Sequence, residues 1–120
     1  MSAMNLEEAV QKHAEWKLKF RSAISKKEQM EASTIGKDNC CMVGTWLHGE
    51  GRSRWGNTPE FKRAFEAHKL FHSEAGKVAL LINAGKYPQA EAALNNGTAY
   101  TNASSDLGVA LIGLKKAAGL

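Results

Sequence analysis

The chain has 120 residues, 43% of them hydrophobic, and a formal net charge of +4 at neutral pH, enough for one core and therefore one domain over 1–120. No apolar run reaches the roughly 18 residues that cross a bilayer, so membrane insertion is not expected. The basic residues are mixed with glutamates along the whole chain, with no aromatic-interleaved basic stripe, which argues against nucleic acid as a partner.

The opening run Met1-Ser2-Ala3-Met4-Asn5-Leu6-Glu7-Glu8 lacks the basic start and apolar core of a secretory signal, and a cytoplasmic location is expected. Asn5 followed by Glu8 is a capping-box-like start. Leu6, Val10, His13, Lys17, Phe20 and Ile24 then recur at alternating steps of four and three, predicting a core-facing helix over 6–31. Lys17 sits on that stripe and is expected to snorkel outward, and Trp16 reads as boundary packing or a dimer contact. Residues 33–39, with Gly36, read as a connection. Asp38 is placed to cap a short second helix carrying Cys41, Trp46 and Leu47, with Gly49-Glu50-Gly51 ending it.

A loop over 52–57 follows, whose Trp55 is expected to cover the core. Thr58-Pro59 supplies a cap and a first helical residue. The third helix carries Phe61, Phe65, His68, His72, Ala75, Ala79 and Ile82 at four- and three-residue steps and closes over 83–85, where Gly85 suits a left-handed terminus. Tyr87-Pro88 opens a last helix over 88–116; Gly97 and Gly108 count against its continuity, each costing ~1 kcal/mol relative to alanine. Strand signals are few. The expected fold is all-α, an antiparallel four-helix bundle with one short helix carrying a cysteine ligand.

His68 and His72 are four apart, so their imidazoles leave the same helix face one turn apart. Their registers with Phe61, Ala75 and Ile82, and with Phe65 and Ala79, point both inward. His13 is in register with Leu6 and Phe20. An unsatisfied buried polar group costs about 1–3 kcal/mol, so three imidazoles in one small core call for a shared partner. The two cysteines, Cys40 and Cys41, are adjacent and cannot staple distant parts of the chain; reduced thiols are expected, one of them free for metal. Cys41 is preferred because it shares a face with Gly44 or Thr45 and with His48, beside the apolar anchors Trp46 and Leu47, while Gly44 admits a close neighbour. Cys40 reads as a small packing residue, and His48 as solvated or a weak alternative ligand. Three imidazoles and one thiolate close a four-ligand set that suits zinc and leaves no open position for catalysis. No His-Glu-x-x-His run offers a general base, and Glu15, Glu66 and Glu74 fall on or near polar faces, so neither a metallohydrolase nor a di-iron carrier is expected, and no enzyme.

The runs His13-Ala14-Glu15-Trp16-Lys17, Cys41-Met42-Val43-Gly44-Thr45-Trp46-Leu47 and His68-Lys69-Leu70-Phe71-His72 together resemble the bacterial chemoreceptor zinc-binding domain family. The resemblance extends over 6–82, with Val43 where that family often carries leucine. It implies a helical bundle holding zinc through His13, Cys41, His68 and His72. It also implies a cytoplasmic sensory module that dimerises, that is attached to chemoreceptors or diguanylate cyclases, and that responds to zinc or to hypochlorous acid through the cysteine. The chain lacks the coiled hairpin of a receptor signalling region and any cyclase, so it is either a stand-alone member or a piece of a longer protein. The expected mechanism is a metal-dependent shift of the first helix, with Cys41 as the redox-responsive ligand. The alternative is a zinc-stapled interaction bundle without a sensing role.

Overall fold

The computed structural model describes residues 4–39 and 41–120, so the expectations for Cys40 and for the first three residues lie outside it. Among the described residues every regular element is helical: α1 (Leu6–Ala14), α2 (Trp16–Lys26), α3 (Ala32–Ile35), α4 (Met42–His48), α5 (Glu50–Trp55), α6 (Pro59–Asn83), α7 (Tyr87–Ala93) and α8 (Ala99–Ala118). The all-α bundle expected from the sequence forms, with Cys41 at the head of the short α4. No helix is long and apolar enough to cross a membrane among the described residues.

Asn5 caps α1 through its Oδ1, which accepts the Glu8 N–H at 3.0 Å. Glu15, between α1 and α2, keeps helical angles of φ −64° and ψ −21°, so the two segments make one rod. That rod stops before 31. Lys27 takes the left-handed conformation, φ 56°, and the Glu28 and Lys27 N–H groups donate back to the Ala23 and Ile24 carbonyls, a Schellman-type end. The Asn83 side chain then clamps the descending strand of chain, accepting the Met30 N–H at 2.7 Å and donating to the Met30 carbonyl at 2.8 Å. Leu6, Ala9, His13, Phe20 and Ala23 are buried, whereas Val10, Lys17 and Ile24 of the expected stripe are half-buried. A seven-residue pattern drifts by roughly 20° per heptad on a straight helix, which carries alternate members to the margin.

The connection to α6 departs further from expectation. Residues expected to be a plain link include the single turn α3. Cys41, not Asp38, caps α4: its Sγ accepts the Gly44 N–H at 3.3 Å. Asp38 instead accepts from His48 Nε2 at 3.1 Å across the turn. Gly49 bends the chain, with φ −117° and ψ −109°, but helix resumes at once as α5. Trp55 closes that segment and packs on Trp46 with ring centroids 5.7 Å apart, covering the core as expected.

Thr58 and Pro59 start α6 as expected, the Thr58 hydroxyl accepting the Phe61 N–H at 3.2 Å. The last expected helix is two. Gly97, at φ 83°, breaks it, and Thr98 and Thr101 cap α8 reciprocally, each hydroxyl accepting the other's backbone N–H. Gly108 stays inside α8, where an added Cβ would meet only Val10 at 3.8 Å.

Lys115 pairs with Glu7, and Phe20 meets Tyr100 at 5.7 Å, so α8 runs antiparallel to the α1–α2 rod. His13 faces His68 and His72, and Met30 faces Asn83, so that rod runs parallel to α6. First and third helices of an alternating bundle share a direction. The turn α3 lies on α6 where two glycines meet: a Cβ on Gly76 would sit 2.9 Å from the Gly36 Cα.

Gly76→Ala is expected to lower stability by ~1–3 kcal/mol through overpacking, outweighing the ~1 kcal/mol gained in helix propensity. Gly113, inside α8, has nothing within 4 Å of its would-be Cβ; Gly113→Ala should raise stability by up to ~1 kcal/mol. Urea unfolding of the two variants beside the parent checks the opposite signs.

Candidate metal centre

The four residues singled out from the sequence come together. α6 presents His68 and His72 from one face, one turn apart; α1 brings His13 from the facing rod; the N-cap of α4 brings Cys41. Among the described residues His13, His68 and His72 are the buried polar side chains of the core, 6%, 1% and 3% exposed, and Cys41 is half-buried. Local sequence explains each placement. The two α6 positions follow the Phe61 and Phe65 registers, and His13 sits on the Leu6–Phe20 face. Cys41 replaces the usual oxygen-bearing cap residue with sulfur, so the chain enters α4 with its thiol turned toward the bundle.

Gly44 makes that entry possible. A Cβ there would lie 1.9 Å from the Asp38 carbonyl oxygen and 3.2 Å from the His68 ring, so any side chain would displace the loop carrying Cys41. Behind the imidazoles is an aromatic floor. Phe71 meets His13 edge-on at 5.3 Å and His72 at 5.4 Å, and Tyr100 of α8 lies 5.6 Å beyond. Burial pushes the Tyr100 phenol up to about 12, so it is neutral at any physiological pH.

The three Nε2 atoms stand 3.1, 3.2 and 3.3 Å apart. Cys41 Sγ lies 3.3, 3.7 and 3.9 Å from those of His68, His72 and His13. Four atoms at the corners of a tetrahedron, with nitrogens about 2.05 Å and sulfur about 2.3 Å from a central zinc, have N···N edges of about 3.3 Å and N···S edges of about 3.6 Å. All six separations fall close to those edges, so the residues fit the ion.

Tautomers strengthen the fit. His13 Nδ1 is 2.7 Å from the Ala9 carbonyl oxygen, and His72 Nδ1 is 2.8 Å from that of Ile35. A carbonyl only accepts, so both Nδ1 atoms carry hydrogen, and in the neutral rings both Nε2 atoms expose lone pairs. Those lone pairs face each other at 3.3 Å with no proton between them. A cation at the centre resolves that repulsion, and Nδ1–H to carbonyl is how metal-bound histidines are commonly oriented. The Ala9 carbonyl is one turn back from His13 and follows from helix geometry. The Ile35 carbonyl had no signal in the sequence, because it is a backbone group delivered by the fold.

Electrostatics agree. Burial pushes His13 down to about 4 and His68 down to about 2, with the neighbouring imidazoles adding to the effect; burial also lowers His72. All three are neutral near pH 7, the form that binds metal. Burial raises the Cys41 thiol, opposed by the Gly44 and Val43 N–H groups. His48 lies outside the cluster, exposed, on Asp38 and against Phe65 at 4.9 Å.

Residues 13–79 match the family described as the chemoreceptor zinc-binding domain, a span that contains all four clustered residues. Comparison with curated proteins and with solved structures found no match.

Because the histidines are already neutral and the thiol is protonated at pH 7, binding a divalent ion displaces one proton, from Cys41. Apparent metal affinity should therefore rise about tenfold per pH unit through neutrality, and Cys41→Ala should flatten that slope. Chelator competition at several pH values measures both.

Proposed function

The chain belongs to the chemoreceptor zinc-binding domain family, and from that membership we propose that it is a cytoplasmic sensory or regulatory domain whose His13, Cys41, His68 and His72 hold one zinc ion. The observation that carries the reading is the tetrahedron of three imidazole Nε2 atoms and one sulfur, drawn from α1, α4 and α6. Four protein ligands leave no open position for a substrate water, which favours regulation over catalysis.

When bound, zinc supplies a fixed divalent charge that holds the cysteine as thiolate and ties three elements together. His68 and His72 belong to one long helix and move as a unit. His13 and Cys41 each attach a separate element to it, so either bond can loosen independently. Without the shared ion, α1 is held by the burial of Leu6 and Ala9 and by the exposed Glu7–Lys115 pair, and its N-terminal end can shift. That displacement is the proposed signal, delivered to a chemotaxis or cyclic-di-GMP type partner, with the domain acting as a homodimer.

Cys41 is the ligand that answers oxidants. A thiolate that attacks hypochlorous acid gives, in net, a sulfenic acid and chloride: sulfur supplies the electron pair and gains the hydroxyl as the O–Cl bond breaks, and chlorine leaves reduced as chloride. The sulfenic acid is a poorer donor than the thiolate it replaces, so oxidation weakens the grip on zinc. Zinc level and oxidant therefore act on one residue. The alternative, a zinc staple in an interaction bundle without sensing, differs in affinity: a sensor's dissociation constant lies near the free zinc level it reports, whereas a staple is not so limited.

Elemental analysis is expected to find one zinc per chain. Cys41→Ser should reduce affinity by more than the roughly 10–100-fold typical of changes to outer-shell partners, while leaving a weaker three-histidine site. Unchanged affinity in a chelator titration would remove Cys41 from the ligand set. Hypochlorous acid should release zinc from the parent with formation of a Cys41 sulfenate detectable by dimedone labelling; release without that adduct would reject the redox role.

A further inference from the structure

The four ligand atoms are not equally shielded. His68 and His72 are 1% and 3% exposed, His13 is 6% exposed, and Cys41 is half-buried. A cleft of about 320 Å³ lies between α1 and the start of α4, and His13 and Cys41 both line it, whereas His68 and His72 do not. The Cys41–His13 separation, 3.9 Å, is the longest edge of the tetrahedron, longer than the 3.3 and 3.7 Å from Cys41 to the α6 histidines. The most open edge of the site thus faces the cleft. Ala9, one turn before His13, also lines it.

Charged groups surround the mouth: Glu8 and Glu15 offer carboxylate oxygens, and Lys12 and Lys19 balance them. Lys12 is 3.5 Å from Glu8, an exposed pair that binds weakly and opens easily. A more open depression on another side, lined by Gly36, Lys37, Asp38, Asn39, Lys69 and Ser73, includes none of the four ligands.

From this asymmetry we infer that the cleft is the exchange route of the metal centre: a divalent cation enters and leaves across the Cys41–His13 edge, passing the Glu8 and Glu15 carboxylates, while His68 and His72 form the closed back of the site. This rests on the zinc reading above and adds a path to it. The two ligands at the door belong to the two elements attached by single bonds, so α1 and the head of α4 can part without disturbing α6. A cation leaving this way loses Cys41 and His13 first and the α6 pair last.

The test uses the full chain and zinc itself, with transfer to the small chromophoric chelator pyridylazoresorcinol followed by stopped flow. Glu8→Trp places a large ring at the mouth, at an exposed position whose side chain pairs, among the described residues, with Lys12. Loading and loss should each slow about tenfold, equivalent to ~1.4 kcal/mol of added barrier, with the dissociation constant unchanged. Lys69→Trp, at the other depression, should leave both rates at the parent value. Unchanged rates in Glu8→Trp overturn the route, as do equal slowing in Lys69→Trp and a change in the dissociation constant that accounts for the altered rate. Failure of the parent chain to take up zinc would overturn the metal reading as well, an outcome the variant results alone do not produce.

Discussion

Lone pairs that face one another among buried side chains are the constraint around which this bundle is arranged. The Ala9 and Ile35 carbonyls fix the hydrogens of His13 and His72 on Nδ1, so their Nε2 atoms meet across 3.3 Å with nothing to share. Burial also keeps the rings uncharged, which prevents relief by protonation. In a hydrocarbon core such a cluster is unfavourable unless a cation occupies its centre. The requirement is cooperative, because α1, α4 and α6 must all be in place before four donors converge.

The surrounding packing serves that convergence. Close contact of α3 with α6 depends on the absence of a side chain at Gly76, and it brings the Ile35 carbonyl to His72. Gly44 likewise lets the Asp38 turn lie against α4, which holds Cys41 at the sulfur corner. Phe71 and Tyr100 close the rear of the imidazoles with apolar area. α8 supplies no ligand and acts as the wall against which α1 and α6 are aligned.

The division of ligands also organises the proposed chemistry. A single rigid helix holds two of them, and two lighter elements hold one each. On that proposal movement is concentrated at His13 and Cys41, which line the cleft. Metal exchange, oxidant access and helix displacement would share one edge of one tetrahedron.

Much of this was readable along the chain. Thr58 with Pro59 announced α6, the three- and four-residue steps placed His68 and His72 inward, and His13 shared the Leu6 face. These are local signals, set by helix periodicity and capping chemistry within a few residues. Val10 and Ile24 pack only at the margin of the core because a straight helix drifts against a seven-residue pattern, and Lys17 is half-buried, as a snorkelling lysine is. Oxygen side chains usually cap helices, which points to Asp38; Cys41 caps α4 instead, since its sulfur can accept the Gly44 N–H while facing the imidazoles. The break before Thr98 was only half legible, as Gly97 and Gly108 look alike until their backbone angles are known.

The sequence by itself determined the helical class and which four side chains could offer donor atoms, since periodicity and residue chemistry are properties of short segments. Tertiary structure alone decided that these donors meet at tetrahedral distances, which carbonyls set the tautomers, and which edge is left open. Those outcomes depend on how rods separated by dozens of residues pack, and no local pattern encodes the distance between them.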